Sequence, residues 1–161
     1  MAVALELFAD QGYAASTIGQ IADRSAVTPP ALYYHFASKE ALVHELVDPH
    51  LDELEAVVPG NGGSPPRGEL LRRYAGVVSS APAIARFLDR DAAGLTQVGI
   101  TQRHEAVNSR VEQALADAGG DGAAVAEASA AIAAVRKLVS GTRQPMAPAE
   151  AAEVGGRAFR R

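Results

Sequence analysis

The chain has 161 residues, 48% of them apolar and 21% charged, which suits a soluble globular protein of one domain, or of a small domain fused to a larger one. The absence of cysteine excludes disulfides, thiolate metal sites and thiol nucleophiles; no apolar run nears the ~18 residues of a membrane span, and the opening "MAVALELFADQGY" lacks the basic start of a signal peptide, so a cytoplasmic protein without a membrane partner is expected. The net charge of −4 falls in the first fifty residues, where Arg24 and Lys39 stand against Glu6, Asp10, Asp23, Glu40, Glu45 and Asp48, a balance that counts against simple electrostatic capture of a phosphate backbone.

Residues 2–11 place Val3, Leu5, Leu7 and Phe8 among alanines, and Gly12 ends that first helix. In "STIGQIADRS", Ser16 or Thr17 is the N-cap, Ile18, Ile21 and Ala22 share a face, and the helix ends near Ser25. Thr28 caps the next helix, and Pro29 and Pro30 fill its first turn, where their missing N–H groups would have had no helical partner anyway. That helix runs to about Phe36. Ser38 caps a long helix with Leu42, Leu46, Leu51, Leu54 and Val57 or Val58 inward, and Pro49 is expected to kink it or break the bond to the Glu45 carbonyl.

The breakers "PGNGGSPPRG" at 59–68 predict a loop. Helices follow with Leu70, Leu71, Tyr74, Val77 and Val78 inward, and then Ile84, Phe87 and Leu88 behind Pro82. Another helix covers 101–118, with "GGDG" at 119–122 breaking it. At 123–140, Val125, Ala128, Ile132, Val135 and Val139 step by three and four with alanines between, a seam suited to close helix packing and assigned here to a dimer interface. A last helical segment covers 147–159, with an end blurred by Gly155 and Gly156. No alternating strand pattern or internal repeat is present, so the fold class is all-α.

Residues 17–40 hold two short helices joined by a tight turn at 25–27, followed by a capped long helix. That spacing, with small Ala22 at the crossing, predicts a helix-turn-helix whose second member enters a DNA major groove. Tyr33, Tyr34 and His35 cover about 200° of a helix and cannot all be buried. Near the start of a recognition helix, rings supply contacts to thymine methyls and hydrogen bonds to base edges. Thr17, as a hydroxyl at a helix start, and Lys39, as a point charge, fit phosphate contacts.

The stretch "TIGQIADRSAVTPPALYYHFASKEAL", with "LYYHF" preceded by "IADRSAVT" and followed by "SKEAL", resembles the DNA-binding half of the tetracycline-repressor (TetR) family of bacterial regulators. The resemblance covers residues 2–47 or so. It implies an all-α homodimer with a helix-turn-helix domain at 1–47 and an effector-binding and dimerisation domain at 48–161. It also implies binding of a near-palindromic double-stranded operator, repression relieved by a small-molecule effector, and no cofactor. DNA contacts are implied for Thr17, Thr28, Pro29, Pro30, Tyr33, Tyr34, His35 and Lys39, with Leu32, Phe36, Ile21 and Leu42 as core. This sequence departs from the family in having Ala26 where glycine is usual, and in lacking the polar or basic residue that the family commonly has near Pro29. The usual basic arm and the start of the first helix are also missing, so either the true start lies upstream of Met1 or DNA binding is weak.

For the effector, the polar and aromatic residues of the central helices are Tyr74, Arg86, Phe87, Gln97, Thr101, His104 and Asn108, and an aromatic content of 5% argues against a pocket for large planar cations. His44, Asp48 and His50 supply too few well-placed ligands for a metal site, and a histidine beside the domain interface is the simpler reading. No nucleophile, base and orienter share a spacing, and the glycine-rich 59–68 stretch lacks a phosphate-loop lysine, so no catalytic residue is assigned. A different class of protein, a ligand- or partner-binding helical dimer with weakened DNA binding, fits the acidic N-terminal half.

Overall fold

The computed structural model describes residues 2–58, 60, 65–118, 124–142 and 146–159. Its regular elements are α1 (Ala2–Gln11), α2 (Ile18–Arg24), α3 (Pro29–His35), α4 (Lys39–Glu55), α5 (Arg67–Ser80), α6 (Pro82–Arg90), α7 (Ala92–Gln97), α8 (Thr101–Asp117), α9 (Ala124–Ser140) and α10 (Pro148–Gly156), followed by a 3₁₀ turn at Arg157–Phe159. The all-α class is therefore observed. No helix among the described residues is long and apolar enough to cross a membrane.

The N-terminal helices start where their caps place them. Thr17 Oγ1 accepts from the Gln20 amide at 3.1 Å while the Gln20 side chain accepts from the Thr17 amide at 2.9 Å, a reciprocal box that settles the choice between Ser16 and Thr17. Thr28 caps Ala31 at 3.4 Å and Ser38 caps Ala41 at 3.0 Å. α4 stays helical on both sides of Pro49, which lies on its exposed face; the proline has no N–H to give to the Glu45 carbonyl, so that bond is lost without ending the helix.

One apolar core joins the helices. It runs from Leu7 and Phe8 of α1 through Leu42, Val47 and Leu51 of α4 and Leu70 and Tyr74 of α5 to Phe87, Leu115 and Ile132. Leu46 and Val58 are half-buried at its edge, while Val57 is buried. His50 is also enclosed, only 5% exposed, and burial holds its pKa down at about 4, so it is a neutral core histidine rather than one at a wet interface.

Three elements differ from expectation. Of the predicted 59–68 loop, 59 and 61–64 lie outside the described residues, as does the break at 119–122, while Arg67 and Gly68 already belong to α5. α7 has no sequence signature: it is six residues long, and Gly94 sits within it. The glycine is required by packing, because a Cβ there would lie 2.3 Å from Asp91 Oδ2 and 2.8 Å from Tyr13 Cβ. α9 is turned differently from the assignment made for it. Ala128, Ile132, Val135 and Val139 are buried inside the chain's own bundle and are not a dimer surface, whereas Val125 is exposed. These inward residues meet α8 and α10. The closeness of α10 depends on Gly155, whose Cβ would stand 2.9 Å from Val135 Cγ2 and 3.0 Å from the Ala131 carbonyl. The outward side of α9 carries Ala126, Ala130, Ala133 and Lys137, with Ala134 and Leu138 half-buried.

Candidate nucleic-acid interface and effector cavity

α2 and α3 are joined by a turn closed by the amides of Ala26, donating to the Asp23 carbonyl at 3.2 Å, and Val27, donating to that of Ala22 at 3.0 Å. Ala26 has φ of +54°, the left-handed conformation that disfavours a Cβ and explains why glycine suits this position. Ala26→Gly is expected to raise stability by about 0.5 to 1 kcal/mol, the relief of strain being partly offset by glycine's extra freedom when unfolded. Urea denaturation checks it; a lower midpoint would show the turn to be unstrained.

No residue of α3 is buried. Tyr34 is 87% exposed and stacks edge-on against His35 at 5.2 Å, Tyr33 is 54% exposed, and Thr28, Pro29 and Pro30 are exposed at the helix start. Thr17 is also exposed, its hydroxyl partly used by its own cap. Seven of the eight sequence-derived DNA candidates thus reach solvent, six of them along α3 and its cap. Of the expected core beneath, Ile21 and Leu42 are buried while Leu32 and Phe36 are only half-buried, because seven residues offer α3 little apolar area to bury.

Lys39 is the eighth, and its surroundings contradict a free phosphate contact. Its Nζ donates to the carbonyls of Tyr13 and Ser16, each at 2.8 Å, and lies 4.0 Å from the Tyr13 ring centre. Partial desolvation lowers its pKa. The ammonium ties the α1–α2 connection to the start of α4, so its charge serves the fold.

A second feature is a solvent-open cavity of about 380 Å³ between α6, α7, α8 and α9. Thr101, His104, Glu105, Asn108, Ser109 and Glu112 line it from one face of α8, with Leu88, Asp89, Ala92, Leu95 and Arg136 opposite. Of the seven effector candidates, Thr101, His104 and Asn108 reach it, and the Tyr74 hydroxyl stands behind, donating to Asn108 Oδ1 at 3.2 Å. The other three do not. Phe87 is core beside Phe8, with ring centres 5.9 Å apart; Arg86 is buried in an ion pair; Gln97 is exposed on α7. Sequence reasoning missed Asp89, Glu105, Ser109, Glu112 and Arg136. On α8, the i, i+3, i+4, i+7 spacing of its polar residues was a usable signal.

Between the interface and the cavity stands α6 with its junction to α7. Arg86, 3% exposed, donates to Glu6 of α1 at 2.6 Å and to the Thr142 carbonyl at 2.7 Å. Asp91 accepts from the Tyr13 amide and, at 2.9 Å, from the Gly94 amide, capping α7 while holding the end of α1. On the other flank, Arg103 of α8 pairs with Asp48, Asp52 and Glu55 of α4, and His44 bridges Asp48 at 3.1 Å and the Val98 carbonyl at 2.9 Å. His44 and Asp48 are therefore used in helix contacts, and no cluster able to hold a metal ion occurs among the described residues.

Residues 1–46 match the model of the bacterial regulatory proteins of the tetR family. The chain is 45% identical over 51 residues to the HTH-type transcriptional activator FasR of Mycolicibacterium smegmatis, covering 32% of this chain and 23% of that protein. It is 42% identical over 52 residues to the HTH-type transcriptional repressor KstR2 of Rhodococcus jostii, covering 32% and 26%. The match thus spans about a quarter of the length of these relatives. In fold, the chain is similar to a regulator of the TerR/AcrR family from Aquifex aeolicus, with a TM-score of 0.71 at 18% identity over 99% of this chain and 94% of that one. It is similarly close to a TetR-like regulator from Rhodococcus sp. RHA1, with a TM-score of 0.70 at 23% identity over 99% and 91%. Residues 1–46 thus carry the sequence pattern of the tetR family of bacterial regulatory proteins, and the whole chain shares the fold of these solved regulators.

Proposed function

We propose that the protein is a homodimeric, cytoplasmic transcriptional repressor, not an enzyme, that reads a near-palindromic DNA operator and releases it when a small molecule fills the cavity between α6 and α9. Residues 1–47 form the DNA-binding domain and 48–161 the effector and dimerisation domain. The observation that carries this reading is α3, which has no fully buried residue and turns Tyr33, Tyr34 and His35 outward beside its capped, proline-fixed start. Thr17, Thr28, Pro29 and Pro30 complete the contact surface. Two copies would place their α3 helices one DNA turn apart. The dimer surface is reassigned to the outward side of α9 with α10, where Ala134, Leu138, Met146 and Val154 line an apolar groove.

Ligand in the cavity bears on α6 and α8, which grip α1 through Arg86 and α4 through Arg103 respectively. An effector that prefers the arrangement fitting DNA poorly lowers operator affinity by its difference in affinity for the two arrangements. Pro49, midway along α4, is retained as the pivot. Selection from randomised duplex DNA at near-physiological salt tests the reading: the protein is expected to recover a palindromic site, and Tyr33→Ala/His35→Ala is expected to recover none. Failure of both would favour the second reading, a ligand- or partner-binding helical dimer, which the internal use of Lys39 supports because it leaves the acidic N-terminal domain short of free cations.

A further inference from the structure

The lining of the α6–α9 cavity carries an unbalanced charge. Its carboxylates are Asp89, Glu105 and Glu112, and its one cation among the described residues is Arg136. Arg136 is already committed, donating to Asp89 at 3.1 Å, and Asp89 also accepts from the Ser140 hydroxyl at 3.1 Å. Glu105 and Glu112 have no ion pair among the described residues. His104 lines the same cavity at only 7% exposure, and its ring makes no hydrogen bond to any described residue. The imidazole is nine-tenths buried, yet its nitrogens are not among the fully buried polar atoms left without a partner, so they meet whatever occupies the open side of the cavity. Burial first, and then the positive Arg136, hold its pKa down at about 4, so at neutral pH one ring nitrogen is a free acceptor.

We propose that the cavity takes a small organic amine in its cationic form, its ammonium group answered by the unpaired carboxylates and the neutral His104 ring, its hydrocarbon part lying on Leu88, Ala92 and Leu95. This rests on the reading of the cavity as the effector site. An ammonium is a donor only, and suits an acceptor-rich lining of negative potential. A carboxylate ligand would face two uncompensated like charges, and the guanidinium that could answer it is already held by Asp89.

Calorimetric titration of the whole chain at pH 7 with cyclohexylmethylamine, cyclohexylmethanol and cyclohexanecarboxylate, one skeleton bearing positive, neutral and negative heads, tests the charge preference. The amine is expected to bind at least ~10-fold more tightly than the alcohol, and the carboxylate not measurably. Glu105→Gln and Glu112→Gln should each weaken the amine by up to about fivefold, and together bring it near the alcohol, with the melting temperature unchanged. Equal binding of all three, preference for the carboxylate, or no binding of any overturns the amine assignment. Operator retention read in parallel separates the two ideas: an amine that binds without releasing DNA leaves the amine site standing and removes the effector reading, whereas a carboxylate that binds and releases DNA does the reverse.

Discussion

Glu6→Ala is expected to destabilise the protein by about 2 to 4 kcal/mol, although Glu6 itself is an ordinary, partly exposed carboxylate. The cost lies in its partner. The Arg86 side chain is 3% exposed against 42% for Glu6, its Nη1 is held by the Thr142 carbonyl, and its Nε has no partner. Removing Glu6 leaves a guanidinium buried and only partly satisfied, which costs more than the pair contributes. Water reaching the vacated carboxylate site keeps the effect below that of a fully enclosed pair. Arg86→Met removes the desolvated charge and keeps most of the volume, so it should cost less, and Glu6→Ala/Arg86→Met should be more stable than Glu6→Ala alone. Urea denaturation of the three variants measures the order. If Arg86→Met proved the more damaging single change, the arginine would matter through packing or its bond to Thr142 rather than as a charge needing Glu6. The same pair joins α1 to α6, so, if the proposed effector release holds, Arg86→Met should also blunt it.

Phe87→Ala should cost about 3 to 5 kcal/mol and lower Tm by about 10 °C or more. Phe87 is fully buried, and its ring centre lies 5.9 Å from that of Phe8, which in turn lies 6.1 Å from that of Tyr13. The deletion leaves a cavity where α6 supports α1, and α1 supports α2, so operator affinity should fall along with stability. Phe87→Leu, which restores most of the volume, should recover the greater part of both. Thermal melting paired with DNA binding below the melting range decides it; an unaltered Tm for Phe87→Ala would mean that this aromatic row is not a structural link.

What could be read in the chain beforehand, and what could not, divides by the range of the interactions. The starts of α2, α3 and α4 were legible because a cap acts across three residues: Thr17 with Gln20, Thr28 with Ala31, Ser38 with Ala41. The outward rings of α3 were legible for a similar reason, since adjacent helical positions cannot all face inward. The seam on α9 shows where that logic stops. Its Val, Ile and Ala spacing announces a buried face, but burial by α8 and α10 of the same chain and burial by a second copy leave the same pattern in sequence.

Only tertiary structure decided how the polar residues are used. Lys39 looks like a free cation until the Tyr13 and Ser16 carbonyls, 26 and 23 residues away, are folded around it. Asp91 becomes a clamp because the Tyr13 amide, 78 residues earlier, is delivered to it across a glycine that permits the approach. The cavity draws on four helices, and the lack of an ion pair at Glu105 and Glu112 and of a hydrogen bond at the His104 ring, among the described residues, depends on what does not come near them. Local sequence therefore determined where the helices begin and which of their faces are apolar, because caps and periodicity act within a turn or two. Partnership, burial and charge balance were left to the packing of distant segments, because a side chain's hydrogen bonds and its desolvation are properties of the space around it.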